Sequence, residues 1–211
     1  MLSNLPVVDC NDWDSKGSEK RGRRDHRFPD HKVVTIFPGE FFVSSSPVVI
    51  STLLGSCVGV CMRDPSIGVG GMNHFMLPAP GSSASSGSWS IKTRYGCYAM
   101  EQLINGILSR GGTKSHLEIK VFGGGKLYEG GVDIGASNVE WIVEFIDREG
   151  LRVVAADMGR DVARSIFYYT DSGRVLMKSG STLARKRALE AEKIYTTLCG
   201  PYGPKSEATL F

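Results

Sequence analysis

No apolar run in the 211-residue chain comes near the roughly 18 residues a membrane-spanning helix needs, so no membrane insertion is expected. The start, MLSNLPVVDCNDWDSK, has no basic segment leading into an apolar one and does not read as a secretion signal. Cysteine is scarce: the five residues at 10, 57, 61, 97 and 199 are odd in number and scattered. That is unlike a disulfide framework and fits a reducing, cytoplasmic compartment. Neither sign of charge dominates, with 25 Lys and Arg against 22 Asp and Glu and a net charge of +3, so nucleic acid is not expected as a partner. Internal repeats are absent. What remains is an ordinary globular composition, 41% hydrophobic and 22% charged, of a size for one domain.

Residues 1–31 carry few apolar groups, and their basic cluster (Lys20, Arg21, Arg23, Arg24, Arg27) is nearly cancelled by neighbouring acids. This predicts a flexible charged arm, because so little apolar surface cannot offset the entropy of ordering. The pattern changes at 32. HKVVTIF, EFFVSSSPVVIS, CVGVCMR and VGGMNHFML read as strands bounded by Pro38-Gly39, Pro47 and a turn at 64–68. PAPGSSASSGSWS (78–90) reads as a loop. Ala99, Met100, Leu103, Ile104, Ile107 and Leu108 recur at helical spacing, ended by Gly111-Gly112. LEIKVFG is a strand. Ser137-Asn138-Val139-Glu140 has the form of a capping box opening a helix that stops near Gly150. LRVVAAD reads as a buried strand, and RSIFYYT and RVLMK as a hairpin around Asp171-Ser172-Gly173. Residues 182–198 form a moderately amphipathic helix followed by a polar tail. The expected organisation is an arm (1–31), a domain (32–179) and a C-terminal helix with tail (180–211). The expected fold is α+β, a layered sandwich of mostly antiparallel strands with two core helices.

Several features compete as sites of chemistry. If the strands at 57–64 and 67–74 form a hairpin closed tightly around Pro65-Ser66, Cys57 stands opposite His74 on one face. An imidazole beside a thiol favours the nucleophilic thiolate. Spacing alone is the weaker ground, and a buried structural cysteine with a satisfied core histidine is the readier reading of the same residues. Gly55-Ser56-Cys57 after an apolar strand is a tight turn able to turn a backbone N–H towards the sulfur, as an oxyanion donor does. Ser51 and Thr52 offer hydroxyls that either orient an imidazole or sit in a strand with no such role. Cys57 and Cys61 lie about 13–14 Å apart on a strand, too far to share a zinc, so no metal is expected. FGGGK (122–126) lacks the spacing of a phosphate loop and reads as a backbone turn beside the cleft. Asp157, Arg160 and Arg164 read first as a structural ion-pair group, and second as a face for an acidic partner.

Taken in order, STLLGSCVGVCMRDP, GVGGMNHFMLP, KVFGGGKL, DIGASNVEWIVEFI and YYTDSGRVLMK resemble the CheD-type chemoreceptor glutamine deamidases over residues 33–178. The resemblance implies a cysteine hydrolase that converts glutamines of methyl-accepting chemotaxis receptors to glutamates, with glutamate methyl esters as a second substrate. It implies a layered fold similar to glutamine-deamidating toxin domains, and no cofactor. Carried over, Cys57 is the nucleophile and His74 the base. Gly55 and Ser56 support the oxyanion turn. The hydroxyl partner falls at Ser51, where threonine is common, with Thr52 adjacent. Arg160 stands where a second glycine is frequent. The competing reading is a docking module on receptors or on a CheC-type phosphatase. A cysteine protease is disfavoured because no papain-like QxxxCW pattern is present.

Overall fold

Short β-branched and aromatic segments, punctuated by Pro and Gly, divide the described residues into ten strands and three α-helices. The computed structural model describes residues 22–77, 91–127 and 133–199. The expected loop at 78–90, the first 21 residues and the tail from 200 lie outside the described residues.

Five strands make the first sheet, in the order β1 (Gly22–Arg24), β2 (Lys32–Thr35), β4 (Val48–Leu54), β9 (Arg164–Tyr169) and β10 (Val175–Ser179). The second runs β3 (Phe41–Ser44), β6 (Val69–Phe75), β5 (Val58–Asp64), β7 (Glu118–Gly123) and β8 (Arg152–Met158). Six of the eight strand pairings are antiparallel, and β2 with β4 and β7 with β8 are parallel. Pro47, which cannot donate to a ladder, separates β3 from β4 and marks where the chain leaves one sheet for the other. The helices are α1 (Ile91–Leu108), α2 (Ile134–Glu149) and α3 (Thr182–Cys199).

Two apolar layers hold these elements together. Ile50, Leu54, Ile166 and Tyr168 of the first sheet meet Cys61 and Met72 of the second, and Cys57 of the turn between β4 and β5. On the far side of the second sheet, Val58, Val60 and Met62 meet Met100, Leu103 and Ile107 of α1 and Ile142 and Phe145 of α2. Alternation along β5 therefore feeds two cores at once, which is why that strand is apolar on both faces. Each fully buried aliphatic side chain here contributes about 1.5–3 kcal/mol. The order helices, sheet, sheet agrees with the expected α+β layering and its two core helices.

Four local expectations are corrected. Residues 22–31 belong to the fold: β1 pairs with β2, and Phe28 is buried against Phe167 and Tyr169. The α2 cap is Asp133, whose carboxylate accepts from Ala136 N at 2.9 Å, so Ser137–Glu140 lie inside the helix instead of opening it. β8 is a sheet edge with Val153 and Val154 exposed, because a short apolar run alone does not tell a central strand from an edge. Around the 64–68 turn Asp64 pairs with Val69, so the loop holds four residues. Gly68 closes it in the left-handed region at φ +69°, and the Asp64 carboxylate accepts from Ser66 N.

The Asp157 group is structural. Arg164 exposes no surface; its guanidinium donates to Asp157 Oδ1 (2.8 Å), Gly159 O (2.6 Å) and Val162 O (3.0 Å). Burial alone would raise the Asp157 pKa, but hydrogen bonds from Arg160 and Arg164 outweigh it and hold the carboxyl below its usual range. Arg160 takes φ +61° at the position where a glycine would sit without strain, and its side chain pairs with Asp157. Arg164→Met is expected to cost about 3 kcal/mol in urea unfolding, because two carbonyls and a carboxylate lose a buried donor. A loss below about 1 kcal/mol would contradict this account.

Candidate active site

The turn Gly55-Ser56-Cys57 carries the chain from β4 in one sheet to β5 in the other, so it sits at the seam between the layers. All three of its carbonyls are held. Gly125 N donates to Gly55 O at 2.8 Å, Gly124 N to Cys57 O at 2.8 Å, and Asn138 Nδ2 to Ser56 O at 2.7 Å. FGGGK is thus a backbone turn clamped on the Cys57 loop, as expected. Gly123 must be glycine: its φ is +108°, and a Cβ there would stand 2.2 Å from Cys57 O. With the carbonyls drawn to that side, the N–H groups of Ser56 and Cys57 converge on the other, where both donate to one carboxylate oxygen of Glu192, at 2.7 and 3.2 Å.

His74 reaches the seam from β6. The expected ladder placed it opposite Cys57; in the structure Gly59 is opposite His74 and Val58 opposite Phe75. The slip is two residues, caused by the longer turn, so face parity is kept. Cys57 lies two positions before Gly59, and it lines the inter-sheet core. His74 Nδ1 is 2.7 Å from Thr52 Oγ1, which itself donates to Ile36 O at 2.8 Å. A hydroxyl has one proton. With that proton given to Ile36, Thr52 accepts from Nδ1–H, and the lone pair of the ring is left on Nε2. Nε2 is buried and has no hydrogen-bond partner.

Ser51 does not meet the imidazole. Adjacent residues of a strand face opposite ways, and the Ser51 hydroxyl bonds Thr35 Oγ1 at 2.9 Å. Of the two hydroxyls that the sequence offers, the structure puts Thr52 and not Ser51 in contact with the imidazole. Asn138, which the sequence suggests only as part of a cap, joins the two halves of the site. Besides holding Ser56 O it accepts from Leu77 N at 2.9 Å, three residues beyond His74, and it is fully buried.

The electrostatics are those of a closed, dry site. Burial pushes the His74 pKa down to about 3. Burial also pushes the Cys57 thiol well above its usual range, and the charge of Glu192 and its hydrogen bond add to the rise. Thiol and imidazole are both neutral at rest. The groups brought to the seam are a buried thiol, a neutral imidazole whose Nδ1 is bonded to Thr52, and two backbone N–H donors.

The sequence model of the family described as CheD chemotactic sensory transduction matches residues 76–179, starting two residues after His74. The chain is 45% identical over 157 residues to the "Probable chemoreceptor glutamine deamidase CheD" of Halorhodospira halophila, covering 71% of this chain and 72% of that one. It is 41% identical over 177 residues to the like-named protein of Rhizobium meliloti, covering 83% and 91%. With that of Hydrogenovibrio crunogenus it shares 39% identity over 176 residues, covering 83% and 92%.

Proposed function

Because the chain belongs to the CheD family of chemoreceptor glutamine deamidases, we propose that it hydrolyses receptor glutamine side chains to glutamate through Cys57, with His74 as base and Thr52 as its orienting partner. The observation that carries the reading is the tautomer of His74 set by Thr52, which leaves Nε2 buried and without a partner on the strand face that the register also gives to Cys57. Nε2 takes the thiol proton, and the sulfur attacks the carboxamide carbon. The N–H groups of Ser56 and Cys57 hold the developing oxyanion. The imidazolium returns its proton to the departing ammonia, and the same ring then activates the water that cleaves the thioester. Every proton in this scheme passes through His74, and no cofactor enters it. Glutamate methyl esters present the same acyl carbon and fit the same cycle.

The reading places the protein beside the cytoplasmic parts of chemoreceptors, and among the described residues no helix is long and apolar enough to cross a membrane. A likeness to glutamine-deamidating toxin domains belongs to the same reading. A docking module for receptors or a CheC-type phosphatase would leave the buried Thr52–His74 bond and the clamped Cys57 turn without a use.

Incubation with a receptor cytoplasmic fragment is expected to add about one mass unit at discrete glutamines and to release ammonia in equal amount, since each amide becomes a carboxylate. Binding without any mass gain would favour the docking module. The orienting hydroxyl gives a second expectation: Thr52→Val lowers the deamidation rate about 10²-fold, while Ser51→Ala stays within about two-fold of the unmodified protein. Equal effects at both positions would remove Thr52 from the site.

A further inference from the structure

The third helix begins where the family match has ended, yet it reaches the centre of the candidate site. One face of α3 docks on the domain. Arg185 donates to Leu127 O at 2.6 Å and Asp161 O at 3.4 Å. Ala188 is buried against Leu127 and Ala163. Tyr195 packs on the loop at Gly39, whose N–H bonds His74 O. Between them Glu192, 3% exposed, lays its carboxylate on the nucleophile turn. Oε1 accepts from Ser56 N and Cys57 N, and Oε2 accepts from Ser56 Oγ at 2.7 Å. Gly55 makes room for this approach, since a Cβ there would stand 2.5 Å from Glu192 Oε1 and 3.2 Å from Ala188 Cβ.

The chemical identity of the group matters. Hydrolysis of a glutamine leaves a glutamate carboxylate beside the nucleophile, with its oxygen on the oxyanion donors. Glu192 is that group, on those donors, presented from a helix. We propose that α3 is an internal product analogue: Glu192 occupies the acyl subsite of the deamidase, and the helix must leave before a receptor glutamine can enter. The proposal rests on the deamidase reading above. While α3 is seated, Cys57 exposes no surface and His74 Nε2 has no partner, so nucleophile and base are held out of contact with substrate. Opening is a displacement equilibrium, and anything that weakens the Glu192 contacts raises the fraction of open enzyme by the same factor.

The test uses the full chain in three forms. Glu192→Ala is expected to raise the rate of Cys57 alkylation by iodoacetamide about ten-fold or more, and receptor deamidation with it. Glu192→Gln places a substrate amide on the turn. The Cys57 sulfur bonds to its carboxamide carbon, ammonia leaves, and water cleaves the thioester to return glutamate. The tryptic peptide carrying residue 192 should therefore gain about one mass unit with time. The double variant Cys57→Ala with Glu192→Gln should keep glutamine. Alkylation and turnover no faster in Glu192→Ala than in the unmodified protein would overturn the proposal, as would a Glu192→Gln chain that retains glutamine with its Cys57 still protected. Faster alkylation of Glu192→Ala with no deamidation of either receptor or residue 192 would leave α3 as a cover but refute the deamidase reading and, with it, the product analogue.

Discussion

Cys57→Ala is expected to abolish receptor deamidation, a fall of at least about 10⁴-fold, while the fold survives with a loss near 1 kcal/mol. The activity change is large because no other described thiol can take over. Cys61 points into the inter-sheet core, where its sulfur contacts Met72 Sδ at 3.4 Å, and burial pushes its pKa up. Cys97 lies on α1, where Arg148 Nη2 approaches its sulfur at 3.7 Å. The stability change is small because the turn is held by its backbone: the carbonyls of Gly55, Ser56 and Cys57 are bound by Gly125, Asn138 and Gly124 whatever the side chain at 57. Cys57→Ser is expected to be nearly as inactive, since an alcohol in so dry a site ionises far less readily than a thiol. Ammonia release and peptide mass give the rate, and urea unfolding gives the stability. Activity within ten-fold of the unmodified protein in Cys57→Ala would place the nucleophile elsewhere.

What the sequence could reveal follows from how each feature is encoded. Strands and the two core helices were legible because apolar periodicity is local: Val58 to Met62 alternates between two cores, and Leu103, Ile104 and Ile107 share one helix face. That Cys57 and His74 fall on one strand face was legible through parity alone. The register was not, because loop length depends on Asp64 capping Ser66 and on Gly68 turning left-handed. Ser51 and Thr52 are equivalent in sequence and opposite in space. Choosing between them needs the sheet order that sets β4 between β2 and β9 and turns Thr52 towards β6. Asn138 was hidden inside an apparent capping box. Glu192 left no signal: Leu183 and Ile194 suggest a different apolar face, yet both are exposed, and the docked stripe carries Arg185, Ala188 and Tyr195 beside a carboxylate that needs donors. The Ser56 and Cys57 N–H groups are those donors, and only the fold brings them there.

His74→Gln is expected to lower deamidation about 10³-fold and, separately, to flatten the acid limb of the stability curve. The rate effect follows from the loss of Nε2, the one acceptor in the site with a fixed lone pair and no partner. The stability effect follows from linkage. Burial holds the native His74 pKa near about 3, against about 6.5 for a histidine in the unfolded chain. Between those values the unfolded state binds a proton that the native state does not, so stability falls as pH falls through this window. It is fully present above about pH 6.5, and the slope for one group is about 1.4 kcal/mol per pH unit. From pH 7.5 to 5.0 the histidine protein should lose about 2 kcal/mol that the glutamine variant keeps. Cys57 works at the other end: its raised pKa keeps the native thiol protonated, so its contribution is lost as pH rises past the thiol range of the unfolded chain. The two groups bracket a stability maximum between about pH 6.5 and 8.5, the values at which the unfolded imidazole and thiol titrate. Urea titrations of both proteins at pH 5.0 and 7.5 separate the acid term from every other group, because only residue 74 differs. Parallel losses in the two proteins would mean that His74 is protonated in the native state, and an imidazolium there could not accept the Cys57 proton.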